Sequence, residues 1–507
     1  MKENNKNKLW FFLLILILIV GAYLRFYNFQ SRISLSADSA RDAFVALEGT
    51  RLLQFPIVGP FTSVAPVVSS PWYWIQLIIA EGVLGTPYAP WILIAIYSFL
   101  TIIVMYKIGI LLENRWLGLV AAITASLSPQ LISDAKALNN HAVIIFFVSV
   151  VIYLFLKLLK EGPKTHLAIL FGAFVGMTIS THYQAIGIIT LPISLLFFGK
   201  KYLKTLAIIG ISIIIMLLPL LVFELLNHWY NTKNIIRYLT VDQYKIYVAK
   251  RWLTYISDYW PSYISFSLGG ERIKGLVIMI SIGLYFIITI IRKKITAPYL
   301  ILLISFLIQV VMVRYYRGEL YFGYLKFLLP YIFIFTATVI YQISKIKHLK
   351  TVSLLIVGLY IYTSIPSALA ELQPEALTNE ANKLYNQMQS KVGPGPYSLY
   401  KCNEAVEPKI EALSLLMYLN NQYDSDGKIM AYHWGCWYPP VVYNDEIISI
   451  KTQYDEERAQ FLFPHVDYAL KDFSIATPSA LLKIGWIEVS SASIYQTSAR
   501  WWMDEQP

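Results

Sequence analysis

Long apolar runs recur along the first two thirds of the chain, and they leave it one solvent to fold in. IIGISIIIMLLPLLVF, residues 208–223, is typical of them. About 18 or more such residues cross the hydrocarbon core of a bilayer as an α-helix. Backbone polar groups in that core must pair within the segment, which excludes irregular chain and open sheet. Of the 507 residues, 57% are hydrophobic and 14% charged, more apolar surface than soluble domains of this length bury. Eleven spanning helices are expected, at roughly 9–27, 92–112, 116–128, 141–159, 166–180, 185–199, 203–223, 273–291, 298–313, 325–343 and 350–366. The start, MKENNKNK before LWFFLLILILIVGAYL, has a basic flank and no small-x-small cleavage site, so the first helix is expected to stay as a signal anchor.

Charge gives the orientation. The net charge of +11 is split: residues 367–507 hold 18 acids and 10 bases (net −8), so the first 366 hold 31 − 18 = 13 acids and 42 − 10 = 32 bases (net +19). In a soluble protein this excess would point to nucleic acid. Here the bases sit in short loops: Lys2, Lys6 and Lys8, then Arg115, Lys157, Lys160, Lys164, Lys200, Lys201, Lys204, Arg292, Lys293, Lys294, Lys345, Lys347 and Lys350. With eleven crossings all of these fall on the amino-terminal side. The positive-inside rule then makes this a multi-pass protein of the cell membrane, with a cytoplasmic N-terminus and an extracytoplasmic tail. Nucleic acid is not an expected partner, and the lipid bilayer is.

The outer side carries different material. A first loop of about sixty residues, 28–91, contains PWYWIQLIIAEGVLG (71–85), too short to span and opened by the interface-seeking Trp72, Tyr73 and Trp74. It is expected to lie at the outer surface. Residues 367–507 read as a small α/β domain: EALSLLMYLNN is helical in pattern, GKIMAYHW and VDYALKDF are strand-like, and VGPGP and DSDG mark turns. Both cysteines, Cys402 and Cys436, lie there, and a disulfide between them is expected outside the cytoplasm.

Chemistry concentrates in the outer segments. LSADSARDAFVALEG (35–49) places Asp38 as a candidate helix N-cap, with Arg41 and Asp42 in the turns after it. FPIVGPFTSVAPVVSSPWYW follows, rich in Pro, Gly and aromatics, which suits a shaped cavity. RYYRGELYFGYLK (314–326) sets three cations, Arg314, Arg317 and Lys326, and one acid beside a helix end. His182 sits between two apolar helices, where ionisable groups are functional candidates, and Tyr183 and Gln184 are placed to line a sugar pocket. Asp134 and Lys136 are expected to pair with each other. HWGCWYPP (433–440) is assigned to packing.

These segments, in this order, resemble the GT-C integral-membrane glycosyltransferases, in the bacterial branch related to dolichyl-phosphate-mannose–protein mannosyltransferases and aminoarabinose transferases. The similar features are Leu24 to Tyr27 ending the first helix, Ala37 to Asp42, Gly59–Pro60 with Thr62–Ser63, LSPQLISDAKALNNH (127–141), ISTHYQAIGIITLP (179–192) and YLKFLLP (324–330). They cover roughly residues 9–366. The resemblance implies a transmembrane glycosyltransferase domain, 1–366; it does not extend to the tail, 367–507, which the charge pattern alone makes an extracytoplasmic domain. It implies transfer of a sugar from polyprenyl phosphate to an acceptor hydroxyl on a lipid, glycan or protein, with inversion. Such a reaction needs a carboxylate to take the acceptor's proton and cations on the leaving phosphate. Asp38 is the candidate base. Arg41, Asp42, His182, Tyr183, Gln184, Arg314, Arg317 and Lys326 are candidate substrate-binding residues. The family's common Asp-Glu pair is Asp38-Ser39 here, with Asp42 one turn later, so no metal ligand is assigned and a divalent ion stays open. The rival readings are a lipid or oligosaccharide transporter, which would carry mid-depth polar residues in paired repeats, and a lipid-diphosphate-dependent polymerase or ligase, which would lack the early Asp.

Overall fold

A computed structural model describes residues 2–60, 62, 67–242, 251–313 and 321–392, together with short stretches at 398–400, 441–443, 446–448, 486–489 and 492–495. The helices are α1 (Lys2–Phe26), α2 (Phe29–Arg32), α3 (Ala37–Leu52), α4 (Trp72–Leu84), α5 (Ala89–Leu112), α6 (Arg115–Ser126), α7 (Pro129–Asp134), α8 (Asn140–Glu161), α9 (Thr165–Thr181) and α10 (Thr190–Ser194). They continue as α11 (Leu203–Leu226), α12 (Tyr230–Thr240), α13 (Arg251–Thr254), α14 (Trp260–Leu268), α15 (Arg272–Ile291), α16 (Ala297–Val313), α17 (Leu329–Lys345), α18 (Lys350–Ala370) and α19 (Ala376–Val392).

Every one of the eleven apolar runs coincides with helix. Among the described residues, 7 helices are long and apolar enough to cross a membrane; the runs at Arg115–Ser126, Thr165–Thr181, Tyr183–Phe198 and Ala297–Val313 are shorter. This is a membrane protein built on helices. Burial sorts the long ones: the apolar windows of the spans at Asn140–Glu161 and Phe322–Lys345 are 72% and 78% buried, those of Lys200–Leu226 and Arg272–Ile291 only 17% and 11%. So α8 and α17 form the protein-packed centre, while α11 and α15 keep wide apolar faces for lipid. The run at 185–199 is a 3-10 turn (Tyr183–Ile189), the short α10 and a second 3-10 turn (Leu195–Phe198), not one regular helix. Where α5 and α6 cross, a Cβ on Gly109 would stand 2.4 Å from the Cα of Gly118, so small residues set that approach.

The end of α1 is stitched into the bundle by two buried arginines. Arg25 donates through Nε to Ser98 Oγ (2.8 Å) and through Nη1 and Nη2 to the carbonyls of Gly21, Ser126 and Ala125 (3.1, 3.1 and 3.0 Å). Ala125 and Ser126 end α6, so the guanidinium meets carbonyls with no partner in their own helix. Arg32 donates to the carbonyls of Leu24, Tyr27 and Glu371.

The tail begins against the first loop. Helix α18 runs on past residue 366 to Ala370. Glu375 N–H donates to the Ser31 carbonyl and Thr378 Oγ1 to the Ile33 carbonyl, while Ala381 packs into the cluster of Ile33, Leu35, Ala43, Tyr73 and Trp74. Further on, β1 (Ser398–Tyr400), β2 (Val441–Tyr443), β3 (Glu446–Ile448), β4 (Trp486–Val489) and β5 (Ala492–Tyr495) pair antiparallel, in the order β1-β5-β4 and as a β2–β3 pair. The stretches 411–421, 427–434 and 466–473, and Cys402 and Cys436, lie outside the described residues.

Candidate functional site

The first loop is held open by pairing with itself and with two helix ends. Gly59 N–H donates to the Ser69 carbonyl and Ser69 N–H to the Pro60 carbonyl, making a narrow hairpin. A Cβ at Gly59 would stand 2.3 Å from the Ser70 carbonyl oxygen, so only glycine fits. Ser70 N–H donates to the Ser180 carbonyl at the end of α9. The Asn231 amide, on α12, takes the N–H of Val68 at 2.9 Å and gives to its carbonyl at 2.8 Å, as a neighbouring strand would. Tyr183 OH donates to the same carbonyl at 2.6 Å.

These ties leave a cavity of about 710 Å³. Asp38 and Arg41 of α3 line it, with Ser69 of the hairpin, Asn140 and His141 opening α8, and Thr181 closing α9. His182, Tyr183 and Gln184 follow on the same wall, Ile235, Tyr238 and Leu239 of α12 add an apolar side, and Met312, Tyr321 and Tyr324 complete it. Five of the nine candidate residues, Asp38, Arg41, His182, Tyr183 and Gln184, thus share one space. Arg314 and Arg317 lie outside the described residues, between Met312 and Tyr321.

The other two candidates stand behind the wall. Lys326 is 3% exposed, and its Nζ is 2.5 Å from Asp134 Oδ1. Asp134 therefore pairs across 192 residues of sequence, not with Lys136 as expected from proximity; Lys136 reaches Glu371 (3.0 Å) and Glu375 (3.6 Å) instead. Asp42 is fully buried, bonded to Arg41, Tyr73 and Trp74. Burial pushes its carboxyl up from the ordinary value, against the pull of the Arg41 guanidinium. Asp38 is not the cap of α3. Ser36 is, its Oγ accepting from Ser39 N–H, and Asp38 falls in the first turn, where a carboxylate suits the helix dipole.

His141 is a wall residue that the candidate set lacks. Its ring meets that of His182 edge-on at 4.7 Å, and Tyr324 packs against both at 5.4 and 6.2 Å. It closes the segment 127–141, but as the second residue of a long apolar helix it gave no separate signal. Among the described residues, His182 Nδ1, Thr181 Oγ1, Ser69 Oγ and Gln184 Oε1 are buried without a hydrogen-bond partner, so this wall has polar capacity to spare. No group of three His, Cys, Asp or Glu side chains that could hold a metal stands together among the described residues.

Burial, with Lys326 nearby, lowers the His182 pKa from 6.5 to about 4. Between those values the unfolded chain binds the extra proton and the folded chain does not. Stability is therefore full above pH 6.5 and is lost as pH falls towards 4, by on the order of 3 kcal/mol over the window. His182→Gln should flatten the fall of the melting temperature across this window in detergent. An unchanged slope would show that His182 is not a neutral buried imidazole.

No protein-family profile matches the sequence, and no curated protein matches it. Solved structures do. ArnT from Cupriavidus metallidurans in the apo state is similar with a TM-score of 0.56 at 12% identity, over 79% of this chain and 84% of that one. The same protein bound to undecaprenyl phosphate gives 0.53 at 13% identity with the same coverage. The archaeal oligosaccharyltransferase AglB from Archaeoglobus fulgidus, in complex with an inhibitory peptide and a dolichol-phosphate, gives 0.50 at 13% over 85% of this chain. This chain spans 62% of that protein's length. The fold is the GT-C fold of membrane glycosyltransferases, and at these identities fold is what is shared.

Proposed function

We propose that the chain is a membrane glycosyltransferase that moves a sugar from a polyprenyl-phosphate carrier to an acceptor hydroxyl on the extracytoplasmic face. The observation that carries this reading is the cavity that joins Asp38 and Arg41 of α3 to His182, Tyr183 and Gln184 beyond α9. ArnT, which is similar in fold, binds undecaprenyl phosphate, and the cavity's apolar side along α12 suits a prenyl chain beside a polar sugar pocket.

In this mechanism the acceptor hydroxyl gives its proton to Asp38 as its oxygen attacks the anomeric carbon. The bond from that carbon to the phosphate oxygen breaks with inversion, and the phosphate keeps the electron pair. Cations must meet the growing charge. We assign that to Arg314 and Arg317, whose segment starts and ends beside the wall residues Met312 and Tyr321, and to the remaining N–H groups of Arg41. Lys326, spent on Asp134 behind the wall, is given no part in this. The test is donor-dependent transfer by the purified protein, compared between the unsubstituted chain and Asp38→Asn.

The proposal sets a sidedness as well: N-terminus in the cytoplasm, cavity and residues after Ala370 outside. A reporter active only in the cytoplasm, fused after Ala370, should be silent, and one fused after Lys294 active. The reverse pattern would put the cavity on the side where the carrier's sugar does not face.

A further inference from the structure

Asp42 invites a role as the second carboxylate of the site, and its surroundings deny it one at the substrate. It is fully buried and absent from the cavity wall. Its Oδ1 accepts from Arg41 Nε at 2.8 Å and from Trp74 Nε1 at 2.8 Å, and Arg41 Nη2 stands 2.8 Å from the same oxygen. Its Oδ2 accepts from Tyr73 OH at 2.9 Å. All three neighbours point donors at it, so both oxygens are spent inside the protein.

Arg41 is consequently held on two sides. Its Nε edge is tied to Asp42, and its guanidinium carbon lies 6.0 Å from the centroid of the Trp74 ring. Its Nη1 donates to Asp38 Oδ1 at 2.7 Å. An isolated Asp–Arg pair three residues apart on a half-exposed helix is worth a fraction of a kcal/mol and exchanges freely with water. This pair has an anchored arginine: its anchor Asp42, the next residue on α3, is itself held by Tyr73 and Trp74 of α4.

We propose that Asp42 is a positioning residue: through Arg41 it fixes the carboxylate of Asp38, occupying Oδ1 so that Oδ2 alone is presented to the acceptor hydroxyl. The inference rests on the glycosyl-transfer reading above and goes beyond it. Aspartate χ2 is a broad, roughly two-fold torsion, so an untethered Asp38 would sample many orientations. A displacement of about 1 Å at a reacting group can cost on the order of 100-fold in rate. The tether restricts both the torsion and the place.

A positioning role and a merely structural one differ in a double-substitution experiment. The full-length purified protein is assayed in single turnovers with enzyme in excess, so that slow variants stay measurable. Asp42→Asn should lower the saturating single-turnover rate about tenfold or more, with the enzyme concentration that gives half that rate changed by less than about threefold. In the Asp38→Asn background the same change should cost less than twofold, because there is no base left to orient. An equal loss in both backgrounds, or no loss in either, overturns the inference. Should Asp42→Asn not elute as a folded protein, Tyr73→Phe removes only the donor on Oδ2. It should cost about threefold alone and nothing measurable beside Asp38→Asn, and an equal cost in both rejects the tether. A fall in Asp38→Asn with full activity in Asp42→Asn removes the inference and leaves the transferase reading. Full activity in Asp38→Asn removes the inference and takes the base role from Asp38, whereas no transfer by the unsubstituted protein removes the reading beneath it.

Discussion

Asp38→Asn should reduce sugar transfer by at least about 100-fold while leaving the protein folded and able to bind its donor. The size follows from the chemistry: a positioned general base contributes about 10² to 10⁴ in rate. The selectivity follows from the geometry. Asn is nearly isosteric, Asp38 is part-exposed on the cavity wall, and Arg41 keeps its second partner in Asp42, so little packing is lost. An amide oxygen still accepts from Arg41, but the side chain no longer takes a proton. The measurement is the single-turnover rate beside the melting temperature. A rate loss matched by a lost fold would not count for the base, and a retained rate would pass the role to another group.

Arg25→Met should be the most damaging change to the fold, costing about 3 kcal/mol or more. Arg25 is 0% exposed, and its four partners are neutral oxygens. Replacing both members of a buried polar contact by apolar groups can be nearly neutral. Here the partners include the backbone carbonyls of Ala125 and Ser126, which no substitution removes. Methionine would leave them buried without donors, at about 1 to 3 kcal/mol for each stranded group. The expected result is a melting temperature lower by several degrees and less monodisperse protein in detergent. An unchanged melting temperature would mean that water reaches the end of α6. Lysine, a point charge with three donors, should restore part of the loss.

The bundle was legible in the sequence because its signal is strong and local. A run of apolar residues reports its own helix, and all eleven runs are helical. The candidate cavity was legible in outline for other reasons: His182 stood out as an ionisable group between two apolar runs, and Asp38 and Arg41 through the helix start after the first span and the resemblance; all three line one cavity. What escaped was direction and partnership. Asp38 and Asp42 are four residues apart on one helix, which predicts a common face. Yet α4 covers the second with Tyr73 and Trp74 and leaves the first at the cavity. Helical spacing cannot show what packs on the helix. Asp134 and Lys136 are close in sequence, but α7 ends between them, and Asp134 turns inward to a lysine at the start of another span. Long-range pairing of this kind has no periodic trace. The same holds for Arg25, which the sequence offers only as one residue of Leu-Arg-Phe-Tyr. The cap at Ser36 was missed because Asp and Ser are about equally good caps, and which one serves depends on where the chain enters the turn.

Purified full-length protein in detergent should transfer labelled sugar from a polyprenyl monophosphate to a hydroxyl acceptor and release one polyprenyl phosphate for each sugar moved. Nucleotide sugars and polyprenyl-diphosphate sugars should be inert under the same conditions. Transfer from either of those with the monophosphate inert, or movement of an intact lipid-linked sugar across a bilayer without any transfer, would contradict the account.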